Sequence, residues 1–199
     1  MNLLCRGIPS VLYENRFCNQ DEFDVVLCGG RKSNYSPTNE VVKLKAPTFQ
    51  TPYKLTPMLT PRSFSETAVI GSDIYVLGGC KKYYDWTSSF EMYFSETKQW
   101  KSLTSFLDET IHYSVCSFMK RIYAVGGYIK KSRYTSSCYK YEIKDNKWYQ
   151  VESLQTERSN SACTVFEGKI VVAGGNSKKH TLKSVESYDH HVKQMDFSI

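Results

Sequence analysis

Asp73-Ile74-Tyr75-Val76-Leu77-Gly78-Gly79 decides the fold of this chain. A short run of Ile, Tyr, Val and Leu closed by two glycines reads as a buried strand that ends in a sharp turn. A residue without Cβ takes positive φ there and lets another backbone come close. The same construction stands at residues 24–28 before Gly29-Gly30, at 121–125 before Gly126-Gly127 and at 169–173 before Gly174-Gly175. Successive pairs are 49, 48 and 48 residues apart. One Gly-Gly marks many turns, but four in register at a period near 50 mark a β-propeller rather than a helical solenoid.

The register extends in both directions. Tyr93 and Trp100 follow Gly79 by 14 and 21 residues, and Tyr141 and Trp148 follow Gly127 by the same intervals. Tyr188 follows Gly175 by 13, with Met195 where a tryptophan would stand. The segments between Tyr and Trp, Ser95-Glu96-Thr97-Lys98 and Lys144-Asp145-Asn146-Lys147, are polar turn sequences. Upstream, Arg62 and Arg158 each precede the second glycine by 17, and residues 67–70, 115–118 and 162–166 read as a further strand. Each period therefore supplies four strands of an all-β fold.

Arginine, strand, strand ending in Gly-Gly, strand with Glu and Tyr, then a Trp strand resembles the Kelch repeat, here as Arg62, residues 73–79, Glu91, Tyr93 and Trp100. The resemblance covers residues 24–197 and implies four-stranded blades around a central axis. Its units lie at about 23–60, 61–108, 109–156 and 157–199, with 1–22 as a linker. Departures are Thr110 in place of the arginine, Leu44 and Thr51 in place of Tyr and Trp, and Met195 in place of Trp. The outer strands of the first unit are expected near 41–44 and 49–53. Kelch rings commonly close with six blades, so four units imply part of a ring, with a four-bladed ring as the alternative. In the BTB–BACK–Kelch family two further domains precede the propeller, and 22 residues hold neither, which implies a truncated member.

Composition narrows the function. A length of 199 residues suits one all-β domain. Seven cysteines without a C-x-x-C spacing are neither a disulfide framework nor a zinc signature, so a reducing, cytoplasmic setting is expected. Cys80 enters a lysine-rich loop that could depress its pKa, although an inert thiol is the preferred reading. Asn34-Tyr35-Ser36 fits a glycosylation pattern but has no secretory signal beside it. The four histidines, His112, His180, His190 and His191, show no metal-ligand spacing, and no nucleophile elbow or phosphate loop is present. The reading is a non-enzyme with no cofactor and no metal.

Positive charge collects after the glycines. Residues 31–39, 80–88, 128–136 and 176–183 together carry +9, against +6 for the whole chain. Alternate loops of an up-and-down blade emerge on one side, so these loops are expected to share a propeller face. The candidate partner-binding residues are Arg31, Lys32, Lys81, Lys82, Tyr83, Tyr84, Trp86, Lys130, Lys131, Arg133, Tyr134, Lys178 and Lys179. Cations among Tyr and Trp suit a protein interface, and positive charge steers an acidic partner. Lysine on an exposed edge also discourages strand pairing, so a merely solvated face is the competing reading. Trp100 and Trp148 are expected to pack between blades, whereas Trp86 lies outside their register. Arg62 and Arg158 could reach the face, but hydrogen bonding to carbonyls inside a blade is preferred.

The resemblance implies substrate recognition for a cullin–RING ubiquitin ligase, or alternatively actin binding. Single-stranded nucleic acid is a third and weaker reading from charge with aromatics. No membrane partner is expected.

Overall fold

The computed structural model describes residues 10–14, 23–45, 52–82, 85–106, 110–130, 133–189 and 194–198. Among them there is no helix, and hence none long and apolar enough to cross a membrane. The strands build four four-stranded antiparallel sheets, each from one contiguous stretch.

The first blade contains β1 Ser10–Glu14, β2 Phe23–Cys28, β3 Val41–Lys45 and β4 Tyr53–Leu55, paired in that order. The second has β5 Glu66–Ile70, β6 Asp73–Leu77, β9 Phe90–Phe94 and β10 Gln99–Leu103, with a ribbon of β7 Cys80–Lys82 and β8 Asp85–Trp86 in its diglycine loop. A small sheet of β11 Thr110–Ile111, β14 Tyr128–Ile129 and β15 Arg133–Tyr134 stands beside the third blade. That blade is β12 Ser114–Phe118, β13 Arg121–Val125, β16 Cys138–Glu142 and β17 Lys147–Val151. The fourth is β18 Ala162–Phe166, β19 Lys169–Ala173, β20 Val185–Asp189 and β21 Gln194–Ser198.

One expectation for the first unit changes. The stretch read as a linker, 1–22, contains β1, which pairs with β2 from Ser10 opposite Leu27 to Glu14 opposite Phe23 and makes the first strand of the blade. The outer strand is described at Tyr53–Leu55, where Leu55 pairs with Val41 and Tyr53 with Lys43, while 49–51 of the expected 49–53 lie outside the described residues. The Tyr and Trp that mark this strand elsewhere are absent here, so spacing alone located it.

The chain forms two compact units, residues 1–105 and 106–199. Each holds two blades around one apolar core, and the two cores are built from the same register positions. Unit one packs Val26, Cys28, Val41 and Met58 against Ile74, Val76, Tyr93 and Trp100. Unit two packs Tyr123, Val125, Cys138 and Leu154 against Ile170, Val172 and Tyr188. Strand alternation puts every second residue into this seam, which is why valine and isoleucine recur there. The register aromatics pack as expected: Tyr93 lies 5.3 Å from Trp100 and Tyr141 5.2 Å from Trp148, with all four buried. The Trp100 indole also donates to the Thr56 carbonyl at 2.7 Å, so one side chain ties two blades together.

Candidate functional site

The diglycine loops are positioned by the connection between blades. In unit one the Gly30 N–H donates to the Arg62 carbonyl (2.8 Å), and the Arg62 N–H donates to the Thr38 carbonyl (3.0 Å). The next residue, Ser63, exchanges two hydrogen bonds with Cys80, at 3.0 and 2.7 Å. Arg62 and Ser63 are therefore clasped by both diglycine loops, which sets the loops side by side. The fit needs glycine: a Cβ on Gly79, at φ +96°, would lie 2.5 Å from the Ser63 carbonyl oxygen. Unit two repeats the clasp at the same register. The Gly127 N–H donates to the Arg158 carbonyl (2.7 Å), and Ser159 exchanges hydrogen bonds with Asn176 at 2.9 and 2.8 Å.

The arginines point inward. Arg62 is fully buried and donates to the Gly78 carbonyl (3.0 Å), the Ser89 carbonyl (2.9 Å), the Ser89 hydroxyl and the Glu91 carboxylate. Arg158 does the same with the Gly174 carbonyl (3.0 Å), the Ser184 carbonyl (3.2 Å) and Glu186 (2.5 Å). The second carboxylate oxygen of each glutamate accepts from the preceding inter-blade segment, Leu59 N–H for Glu91 and Gln155 N–H for Glu186. These arginines hold the blade ends together and are absent from the exposed face.

Around this scaffold stand the cations read from the sequence. Lys32, Lys81, Lys82, Lys130, Arg133, Lys178 and Lys179 are exposed. Arg31 is partly buried, with its guanidinium 4.5 Å from the centre of the Phe64 ring. Tyr134 is half-buried edge-on to Tyr128 at 5.0 Å. Trp86 belongs to the β7–β8 ribbon, opposite Cys80, and is half-buried instead of lying in an irregular loop. Tyr83, Tyr84 and Lys131 lie outside the described residues.

Tyr35 is 79 % exposed at the tip of the first diglycine loop, in left-handed conformation. One feature escaped the sequence reading. Around Phe64, the buried Ser63 and Ser65 hydroxyls and the Arg31 Nε form no hydrogen bond. Buried polar groups are usually paired, so three unpaired atoms within one loop cluster are a departure from the rule. Phe64 itself has φ 56°, a strained conformation for a bulky side chain. Its register equivalents His112 and Asn160 share that conformation, which histidine and asparagine adopt more readily than phenylalanine.

The chemistry of individual groups is muted. Burial raises the Cys80 pKa, outweighing the nearby Arg31, so the lysine-rich loop does not activate this thiol. Burial lowers the pKa of His112. Among the described residues no three His, Cys, Asp or Glu side chains gather as metal ligands.

Comparison with known proteins follows the repeat. The Kelch motif matches at residues 61–107, 110–155 and 157–194. A search of curated proteins finds no match. The solved structure of YjhT superposes with a TM-score of 0.77 at 9 % identity, covering 97 % of this chain and 68 % of that one. At this identity the likeness shows the fold alone, an all-β Kelch-type propeller architecture. With the motif matched three times over most of its length, the chain belongs to the Kelch-repeat family.

Proposed function

We propose that the diglycine-loop face binds an acidic segment of a partner protein. The observation that carries this reading is in unit one, where exposed Lys32, Lys81 and Lys82 stand on two diglycine loops clasped side by side at Arg62 and Ser63. Carboxylates suit such a face, because they accept hydrogen bonds from lysine and neutralise its charge. Unit two presents the same charge through Lys130, Arg133, Lys178 and Lys179, on loops held by the same clasp. In the Kelch family such a face serves substrate recognition, so the role we assign is the receptor part of a cytoplasmic cullin–RING ubiquitin ligase adaptor. Catalysis is not part of this reading.

The test is fluorescence anisotropy with a labelled peptide of alternating glutamate and aromatic residues, at low and physiological salt. Lys81→Glu/Lys82→Glu should weaken binding about tenfold, the equivalent of roughly 1.4 kcal/mol. Equal binding by the charge-reversed chain would overturn the proposal. So would tight, steeply salt-dependent binding of single-stranded oligonucleotide with none of peptide. Cosedimentation with actin filaments, lost in the same variant, would assign the face to actin instead of a ligase substrate.

A further inference from the structure

The two inter-blade cores use the same register positions, and where unit two has a tyrosine unit one has a valine beside a cleft. Three residues before the first glycine, the second and third blades carry Tyr75 and Tyr123, while the first carries Val26. In unit two Tyr123 reaches across the seam to Tyr188, with ring centres 6.3 Å apart. In unit one the equivalent pair is Val26 and Tyr93, both buried in the core. Valine is too short to fill the space a tyrosine occupies, and a cleft of about 350 Å³ remains there. That volume falls within the range of small-molecule sites, roughly 300–1,000 Å³.

Its lining is divided by chemistry. Val26, Ile74, Leu55 and Tyr93 give it an apolar floor. Lys43, Lys54 and Lys98 reach it from three different elements, and no carboxylate lines it among the described residues. Lys43 is matched by Asp24 at 2.5 Å, in a pair whose side chains are only 24 % and 10 % exposed. Lys54 meets Glu40 at 3.2 Å, but those side chains are 76 % and 51 % exposed, and such a pair is readily exchanged for another anion. Lys98 belongs to the β9–β10 turn, where its carbonyl accepts from the Thr56 hydroxyl at 2.7 Å and holds the turn against the end of β4. Asp73 accepts from Ser95 at 3.0 Å and fixes the start of the same turn. The cleft thus has an apolar floor, a rim held by hydrogen bonds and three lysines with no carboxylate among its lining residues.

We propose that this cleft binds an organic monoanion, a carboxylate on a single-ring or branched aliphatic body. The body lies on Val26, Ile74 and Tyr93, and the carboxylate sits between Lys54 and Lys98. The site is at the end of the sheets where β5 turns into β6, opposite the diglycine loops, so it is independent of the partner-binding face.

The probe is 4-phenylbutyrate titrated into the full chain by calorimetry, with 4-phenylbutanol and inorganic phosphate as controls for body and charge alone. Saturable binding of the acid, about tenfold tighter than the alcohol and tighter than phosphate, is the expected result. Val26→Tyr introduces the residue that the second and third blades carry there and should abolish binding without lowering the melting temperature. Lys54→Met/Lys98→Met alters exposed side chains only and should erase the preference for acid over alcohol, which keeps the test decisive if Val26→Tyr fails to fold. Equal affinity for acid and alcohol, phosphate binding as tight as the acid, retention in a folded variant, or no saturable binding by the wild-type chain would each overturn the proposal.

Discussion

Arg158 and Glu186 meet at 2.5 Å with neither side chain exposed, and the third blade has replaced both positions of this pair together. Where Arg62 and Glu91 stand in the second blade, the third carries Thr110 and Tyr139. Tyr139 instead joins an aromatic cluster, with Phe106 5.3 Å away and Phe106 in turn 4.9 Å from Trp148. The joint change has a physical reason, because either ion alone would be a buried charge without a partner. Removing one member of a buried pair costs about 3–5 kcal/mol. Glu186→Gln should therefore lower the stability of the chain by an amount in that range, read from urea unfolding. Arg158→Met/Glu186→Leu should cost markedly less than the single change, since a packed apolar pair leaves no charge behind.

Glycine positions separate by what surrounds them. Gly71 and Gly168 have φ +65° and +74° with open space around a built Cβ, whereas Gly79 would drive a Cβ against the Ser63 carbonyl. Gly71→Ala should cost about 1–2 kcal/mol from backbone conformation alone. Gly79→Ala adds a clash with the clasp and should cost more, with a matching loss of peptide binding at the diglycine face. Equal midpoints for the two variants in chemical unfolding would refute the clasp.

Stability should also fall with rising pH through Glu66. Burial pushes its carboxyl from the ordinary 4.5 up to about 7, so the folded chain keeps a proton that the unfolded chain releases. Unfolding then releases that proton between pH 4.5 and 7, and the native state weakens across that window as pH rises. Glu66→Gln should stabilise the protein at pH 8 by on the order of 2 kcal/mol and change little at pH 4. Denaturant midpoints at the two pH values make the comparison.

Thiol reactivity should follow burial. Cys28 and Cys138 are pushed up to about 12, both chiefly by burial, and Cys80 is raised as well. At pH 8 these thiols are protonated and shielded, so iodoacetamide should modify them only as fast as the native state opens. Cys163, half-buried on β18, should react first among the described cysteines. Peptide mapping by mass spectrometry gives the order.

The repeat was legible because Gly-Gly, Tyr and Trp are each required by local geometry: a strand end under close backbone approach, and aromatic bodies between sheets. Buried roles for Arg62 and Arg158 were legible for the same reason, since a register position belongs to the repeat. The first blade was harder. With Leu44 in place of tyrosine and no tryptophan, its outer strand at 53–55 carried no marker, and β1 carried none either. At the diglycine face the lysines could be counted from sequence, but the Ser63 and Ser65 hydroxyls could not be singled out. Whether a hydroxyl is left unpaired depends on the neighbouring backbone, which has no signature in residue type. The cleft at Val26 sits between these cases: the valine was visible in the register, and its consequence needed the opposing Tyr93.

Each blade takes all four strands from one uninterrupted stretch of chain, the first included, because β1 precedes β2. Among the described residues no sheet takes a strand from a distant part of the sequence. A genetic duplication or deletion of one 48-residue period would thus add or remove a whole sheet without re-pairing any other. The inheritance of this fold is modular, and the replacement of the Arg–Glu pair in the third blade and the Val26 cleft in the first are changes made within modules.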